Sequence, residues 1–221
     1  MAKKHQQEFA VIGLGRFGSR LARALEENGQ TVMAIDVDPQ LVQSIADEVT
    51  HAAALDATNE DALRAIDITA FDTVIVAIGA DFEANLITTA TLKDLGVRRI
   101  ICKTQSNRQK GILLRIGADK VVQPEQNSAL RLAEELSLPT LLEKFNLTQS
   151  YSIAEIVLPA SLNWQSLAQT DLRNKYQLTV LLIKRGDEVL ISPTSDTVLQ
   201  EGDLLIVFGD NQSITQFSKL P

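Results

Sequence analysis

Three glycines and an aspartate at a fixed spacing are the residues of this sequence best suited to chemistry. Gly13, Gly15 and Gly18 follow an apolar run, and Asp36 ends the next apolar run, eighteen residues after Gly18. A strand, a glycine turn, a helix, a second strand and a terminal carboxylate together predict a βαβ unit that binds a nucleotide. The alternative is a glycine turn that only connects a strand to a helix.

Each of these residues has its own physical task in such a unit. Gly13 permits the tight turn, Gly15 lets the backbone approach a pyrophosphate, and Gly18 lets the helix and the strand pack closely. The phosphates are expected at the helix N-terminus, where free N–H groups and the helix dipole favour anions. Asp36 is expected to accept hydrogen bonds from ribose hydroxyls, and its charge disfavours the 2′-phosphate of an NADP-type ligand.

Arg16 and Asp38 lie beside these residues, and each has two interpretations. The Arg16 guanidinium could pair with a terminal phosphate, in the same subunit or in a neighbour, or it could be a solvated arginine at the start of a helix. Asp38 could touch the ligand, or it could cap the following helix.

Further candidates lie where other predicted strands end, because ligands of open α/β sheets bind beyond the carboxyl ends of the strands. Asp56 can accept from an adenine amino group, Gly79 lets backbone pass close to the base or ribose, and Lys103 can neutralise phosphate. Each could instead be an ordinary loop residue. The full predicted nucleotide site consists of Gly13, Leu14, Gly15, Arg16, Phe17, Gly18, Asp36, Val37, Asp38, Asp56, Ala57, Ile78, Gly79, Lys103 and Thr104.

Glu125, which follows the sixth predicted strand, is a candidate metal ligand. It could be an acid that stabilises a helix N-terminus, or a hard oxygen ligand for a cation held near nucleotide phosphates. Signs of catalysis are few: the sequence has neither a G-x-S-x-G elbow nor a Walker lysine loop, and its only histidines are His5 and His51. The sequence therefore predicts binding without turnover rather than an enzyme.

Composition limits the class of protein and of partner. With 45% hydrophobic residues and a net charge of −7, the chain is expected to be soluble and to have neither nucleic acid nor anionic lipid as its main partner. No apolar stretch reaches the ~20 residues that cross a bilayer, and the start lacks the apolar core of a signal peptide, so we expect a cytoplasmic protein. The single cysteine, Cys102, is expected to be a small buried residue.

Short β-rich runs alternate with helical segments from residue 8 to about 137. This alternation predicts an α/β fold with a Rossmann-like, doubly wound parallel sheet of six strands. The predicted strands cover 8 to 12, 31 to 35, 49 to 54, 73 to 78, 99 to 103 and 120 to 122. The predicted helices cover 16 to 28, 39 to 47, 59 to 66, 83 to 95, 106 to 115 and 125 to 137.

The pattern changes after residue 138, which predicts a second, smaller part of the chain. We expect a nucleotide-binding domain over 1 to 137, a crossover segment over 138 to 150 and a small C-terminal α+β lobe over 151 to 221. Residues 140 to 148 are predicted as a short helix or crossover, and 166 to 175 as a helix. The other predicted elements of this lobe are strands at 151 to 158, 178 to 184, 188 to 191 and 204 to 209, and a helix at 211 to 217.

The sequence resembles the RCK (KTN) family of regulatory subunits of potassium channels and transporters, most closely its KtrA and TrkA type. In the first lobe, the resemblance rests on residues 11 to 18, 34 to 36, 56 to 58, 76 to 79, 103 and 122 to 125. In the second lobe, it rests on residues 172 to 173, 180 to 185 and 201 to 209. The chain departs from the family at Leu55, where glycine is usual, and at Cys102, where alanine is common.

The resemblance implies a peripheral cytoplasmic subunit that forms a homodimer and then an octameric ring beneath an integral membrane potassium transporter of the KtrB or TrkH type. The implied ligands are ATP and ADP, with NAD(H) as the alternative. Arg16 falls on the position that contacts a neighbour's γ-phosphate, and Glu125 on a position that binds Mg²⁺, Na⁺ or Ca²⁺. For some members the resemblance also implies cyclic di-AMP, in the region of Arg173, Asn174 and Tyr176.

Two functions of other classes stay open at this point. One is an NAD(H)-binding redox sensor that controls a partner other than a transporter, and the other is a small NAD-dependent oxidoreductase. The redox sensor would prefer NADH to ATP, and the enzyme would turn over a substrate.

Overall fold

The computed structural model describes residues 6–138 and 140–220 of the 221-residue chain. The chain divides into two compact units, with the boundary after Asn127. This boundary falls inside a helix, Pro124–Ser137, whereas the sequence predicted lobes that end at 137 and begin at 151.

The first unit alternates strands and helices along the chain. Its strands are β1 Glu8–Ile12, β2 Thr31–Asp36, β3 His51–Ala54, β4 Thr73–Val76, β5 Ile100–Lys103 and β6 Lys120–Val122. Its helices are α1 Arg16–Glu27, α2 Pro39–Ile45, α3 Glu60–Ala65, α4 Phe82–Leu95 and α5 Asn107–Ile116, followed by the start of α6, Pro124–Ser137.

The six strands form one parallel sheet in the order β3-β2-β1-β4-β5-β6. The order reverses between β1 and β4, and in such sheets the crevice outside the carboxyl ends of the strands at this point receives ligands. The Rossmann-like, doubly wound sheet that the sequence predicted is therefore confirmed. Its switch point lies beside the glycine turn that follows β1.

Apolar side chains on alternate residues of the strands form two clusters, as expected for a parallel sheet covered on both faces. In β1, for example, Ala10 and Ile12 belong to one cluster and Val11 to the other. Cys102 is fully buried in the first of these clusters, as predicted. Burial raises the pKa of its thiol to about 11, against a smaller opposing effect of the Thr89 hydroxyl.

The second unit is an antiparallel sheet with short helices, which confirms the small α+β lobe. Its strands are β7 Leu141–Asn146, β8 Tyr151–Val157, β9 Thr179–Arg185, β10 Glu188–Ile191 and β11 Leu204–Asp210, in the order β10-β9-β11-β8-β7. Its helices are α7 Leu167–Thr170, α8 Leu172–Tyr176 and α9 Asn211–Phe217. Their apolar faces pack with the sheet into a separate core around residues such as Ile156, Ile183 and Phe217.

Two predictions for this unit were wrong. Residues 140 to 148 were predicted as a short helix or crossover, but they contain β7, which pairs with β8 at the edge of the sheet. The helix predicted over 166 to 175 is interrupted at Asp171, whose φ of 51° is left-handed and ends α7 before α8 begins. Aspartate tolerates this conformation better than most residues, so the break is accommodated there.

Among the described residues, no helix combines the length and the apolar character that crossing a membrane requires.

Candidate functional site

A cleft of about 530 Å³ lies at the carboxyl ends of β1 to β4, at the switch point of the sheet. This volume is within the range of ~300–1,000 Å³ that is typical of small-molecule sites. The predicted site residues that line the cleft are Gly13, Gly15, Asp36, Val37, Asp56, Ala57, Ile78 and Gly79. The structure therefore brings together the ends of four strands that are far apart in the sequence.

The glycine turn is shaped by close backbone contacts. Gly13 has a φ of 94°, and a Cβ atom on it would lie 2.9 Å from the backbone nitrogen of Ile78. A Cβ atom on Gly18 would overlap the carbonyl oxygen of Gly13, so the helix can approach the turn only with glycine there. A Cβ atom on Gly15 would meet no heavy atom within 4 Å, which leaves this part of the backbone open toward the cleft.

Helix α1 begins at this open backbone without a side-chain cap. Its N-cap residue is Gly15, and no acidic residue lies in its first turn. Helices α2, α3, α4 and α5 all have N-cap side chains that accept hydrogen bonds from their first amides: Asp38, Asn59, Asp81 and Ser106. The first N–H groups of α1 thus remain free to bind an anion in the cleft.

Asp36 at the end of β2 connects the glycine turn to the next loop. Its Oδ2 accepts from the Leu14 N–H at 2.6 Å, and its Oδ1 accepts from the Asp38 N–H at 2.9 Å. Leu14 is buried, so only its backbone takes part. Of the two interpretations of Asp38, the structure shows the cap: its Oδ1 accepts from Gln40 N–H at 2.8 Å.

Asp56 presents a carboxylate at the end of β3. Its Oδ1 accepts from both the hydroxyl and the N–H of Thr58, at 2.7 and 2.9 Å. These two hydrogen bonds hold the pKa of the Asp56 carboxyl below its usual value, so it stays an acceptor at neutral pH. The site predicted from the sequence did not include Thr58 or Asp81, although both line the cleft. The strand-end rule that selected Asp56 and Gly79 applies equally to these neighbours.

Asn85 does not line the cleft, but it positions two of the loops around it, a role that the sequence did not reveal. Its side chain is buried in α4, and its amide donates to the carbonyl oxygens of Ile78 at 2.7 Å and Lys103 at 3.0 Å. One amide therefore fixes the loop after β4 to the end of β5. A polar side chain among the apolar positions of α4 was the signal for it.

Lys103 and Glu125 do not line the cleft, but they form an ion pair beside Gly79, which does. The Lys103 Nζ lies 2.7 Å from Glu125 Oε1 and 5.7 Å from the centre of the Phe17 ring. The hydrogen bond from Lys103 lowers the pKa of Glu125, and the charge of the exposed Arg16 adds to this effect. Neighbouring Thr104 is buried, and its hydroxyl donates to Gln109 Oε1 at 2.6 Å, so it serves the loop rather than the cleft.

Glu125 belongs to no cluster of potential metal ligands among the residues that the structure describes. Within residues 6–138 and 140–220, no three His, Cys, Asp or Glu side chains converge as metal ligands would. The carboxylate is instead paired with an ammonium group. A cation at Glu125 would need most of its ligands from elsewhere, and it stays a prediction.

Of the three residues predicted for cyclic di-AMP, Arg173 alone lines the depression that the second unit offers, and the other two contact neighbouring side chains. Arg173 lines a depression of about 340 Å³ in the second unit. Asn174 donates to Asp171 Oδ1 at 2.6 Å, and the Tyr176 ring packs edge to face on Phe217, with 5.4 Å between ring centres. A cyclic di-AMP site in this unit also stays a prediction.

Two family models match the chain, one within the first unit and one within the second. The TrkA-N domain matches residues 9–124, and the TrkA-C domain matches residues 153–221. Among curated proteins, the Ktr system potassium uptake protein C of Bacillus subtilis is 41% identical over 214 residues, which are 97% of each chain. The Ktr system potassium uptake protein A of the same organism is 35% identical over 98% of each chain, and that of Vibrio alginolyticus is 32% identical over 96% of each.

Solved structures of similar fold include parts of larger channels. The GsuK channel bound to NAD is 25% identical with a TM-score of 0.57, and the GsuK RCK domain is 25% identical with a TM-score of 0.55. Each is matched over 97% of this chain, which spans 38% and 46% of those two chains respectively. Because a family model covers more than half of the sequence and the Ktr proteins match it almost end to end, the chain belongs to the TrkA (RCK) family of regulatory proteins of potassium uptake.

Proposed function

We propose that this protein senses the adenine nucleotide ATP or ADP and thereby controls potassium uptake through a membrane partner. The observation that carries the proposal is the cleft at the switch point, where the uncapped N-terminus of α1 and the Asp36 carboxylate face the same space. The α1 amides would hold phosphate, and Asp36 would accept from ribose hydroxyls. Asp56 would take an amino group of the base.

Positive charge at the phosphate end favours ATP or ADP over NAD(H). Arg16 is exposed at the start of α1, and the Lys103 ammonium lies within 3.2 Å of where a Cβ atom on Gly79 would stand. Two cationic groups suit a terminal phosphate chain, whose charge exceeds that of an internal pyrophosphate. NAD(H) is the second candidate because the GsuK channel, a relative of similar fold, has been solved with NAD.

The membrane partner is proposed from the names of the relatives. Proteins that match the chain almost end to end are named for potassium uptake by the Ktr and Trk systems. We therefore propose a cytoplasmic, peripheral subunit that assembles as a homodimer and an octameric ring on an integral membrane potassium transporter of the KtrB or TrkH type. Nucleotide binding without turnover would shift the population of two arrangements of this assembly.

Titration calorimetry of the nucleotide-stripped protein with ATP, ADP, NAD and NADH tests the ligand. Arg16→Ala and Asp36→Ala are expected to weaken ATP binding, because they remove a phosphate contact and a ribose acceptor. Tight NADH binding with ATP inert and Arg16→Ala without effect would overturn the choice of ATP. Turnover of a nicotinamide cofactor with any substrate would overturn the non-enzymatic proposal.

A further inference from the structure

The Lys103–Glu125 ion pair occupies a position from which it can respond to a ligand in the cleft. The Lys103 side chain is only 10% exposed, whereas that of Glu125 is 60% exposed. A buried ammonium therefore depends on this carboxylate as its counter-charge, because no other acidic side chain in the described part of the chain lies within ion-pair distance of it.

Gly79, which has no side chain, lies next to both this ammonium and the cleft. Gly79 lines the cleft, and a Cβ atom on it would lie 3.2 Å from Lys103 Nζ. A larger residue at this position would therefore crowd the ammonium. Glycine leaves Lys103 within reach of an anionic group that enters along the loop after β4.

The backbone of Lys103 is fixed, so any change must come from its flexible side chain. Its carbonyl oxygen accepts from the buried Asn85 amide at 3.0 Å. Glu125, in contrast, lies in the first turn of α6 with most of its side chain in solvent. Exchange of partners thus costs little on the Glu125 side, where water can replace the ammonium.

We propose that Glu125 competes with the ligand's phosphate for Lys103, so that this pair makes the cleft selective for phosphate charge. In the free protein, Lys103 is held by Glu125. A bound phosphate group draws the ammonium to itself and releases the Glu125 carboxylate to solvent at the start of α6. This inference rests on the proposed nucleotide site and adds a residue that opposes binding.

Calorimetry in the presence of EDTA tests the competition without any divalent cation. The probes are ATP and ADP, with adenosine as the ligand that lacks phosphate. Glu125→Gln removes the competing charge, and it is expected to tighten ATP and ADP binding about fivefold, as the loss of a partly exposed ion pair of ~1 kcal/mol would do. Adenosine affinity is expected to stay unchanged.

Two further variants separate competition from a general change of charge. Glu60→Gln removes the same charge from an exposed carboxylate paired with Arg64, and it is expected to leave all affinities unchanged. Lys103→Met keeps an unbranched apolar stem, and it is expected to weaken ATP binding about tenfold. In the Lys103→Met background, Glu125→Gln is expected to have no further effect.

Three results would overturn the inference. They are an unchanged or weaker ATP affinity of Glu125→Gln in EDTA, an equal gain for adenosine, and a gain that persists in the Lys103→Met background. If the wild-type protein binds neither ATP nor ADP, the proposed function and this inference both fail. If the wild-type protein binds them and one of the three results above is found, this inference alone fails.

Discussion

The Asp36 carboxylate accepts a hydrogen bond of 2.6 Å from the Leu14 N–H, across the space between the end of β2 and the glycine turn after β1. The same carboxylate accepts from the Asp38 N–H at 2.9 Å. Each of its oxygens keeps a further lone pair, so the group can bind ribose while it holds both loops in place. One side chain therefore both shapes the cleft and is available to its ligand.

Asp36→Asn is expected to lower ATP affinity about tenfold or more, because an amide cannot accept through both of its polar atoms. Calorimetry measures this change. Asp38→Asn is the matched control: asparagine caps helices as well as aspartate, so α2 keeps its cap and the affinity is expected to stay unchanged. Equal losses in both variants would show that the negative charge of the region, and not the position of Asp36, determines binding.

Gly18→Ala is expected to destabilise the protein by about 1–3 kcal/mol, since the added methyl group overlaps the carbonyl oxygen of Gly13. Urea unfolding followed by circular dichroism measures the free energy. Gly111→Ala in α5 is the control, because no heavy atom lies within 4 Å of the added Cβ atom. It is expected to raise stability by about 0.5–1 kcal/mol. A neutral Gly18→Ala would contradict the close approach of α1 to the turn.

The second unit is expected to lose stability in acid through Asp203. This fully buried carboxylate accepts from Arg185 Nε and a terminal Arg185 nitrogen, both at 2.8 Å, and from Gln200 N–H at 2.9 Å. Burial opposes its ionisation, but these hydrogen bonds outweigh burial and hold the pKa of Asp203 below 3.8. Its contribution is therefore present above pH 3.8 and is lost as the pH falls through the lower folded value.

Far-UV circular dichroism follows this acid transition, and substitutions in each of the two units assign it. Arg185→Met is expected to move the midpoint of the transition to higher pH, since Asp203 then loses its cationic partner. Arg64→Met, which breaks an exposed pair with Glu60, is the control and is expected to leave the midpoint unchanged. The same midpoint in both variants would show that Asp203 does not govern the transition.

Cys102 is expected to be unreactive toward a thiol reagent such as DTNB at pH 8 in the native protein. The side chain is fully buried, and burial raises the pKa of its thiol to about 11, so little thiolate exists and none of it is accessible. Addition of urea is expected to restore reaction with one equivalent of reagent. Rapid reaction without urea would indicate that β5 opens in the native state.

The strands, the helices and the glycine turn of the first unit could be predicted closely from the sequence, because the patterns that define them extend over short stretches of chain. The glycine spacing and Asp36 lie within one βαβ unit, and apolar runs such as β4 are buried over their whole length. Element order and the handedness of such crossovers then leave few topologies. For this reason the order of the elements alone predicts that the strand ends at Asp56 and Gly79 meet at one cleft, which both residues line.

The second unit was less predictable where long-range pairing overrides local pattern. Strand β7 lacks a regular apolar alternation, since Glu143 and Lys144 follow two leucines and its register with β8 shifts there. This segment forms a strand because its backbone pairs with the free edge of β8. Similarly, the left-handed Asp171 divides α7 from α8 at a point where the sequence shows no glycine or proline.

Only the tertiary structure decided which partners the polar side chains of the site take. The sequence placed Lys103 and Glu125 at separate strand and helix ends, and it offered phosphate and a cation as their partners. The structure pairs them with each other at 2.7 Å, and it ties Ile78 to Lys103 through Asn85. A local sequence pattern determines the strand or helix end at which a residue lies. The partner of its side chain depends on packing between elements that are distant in sequence.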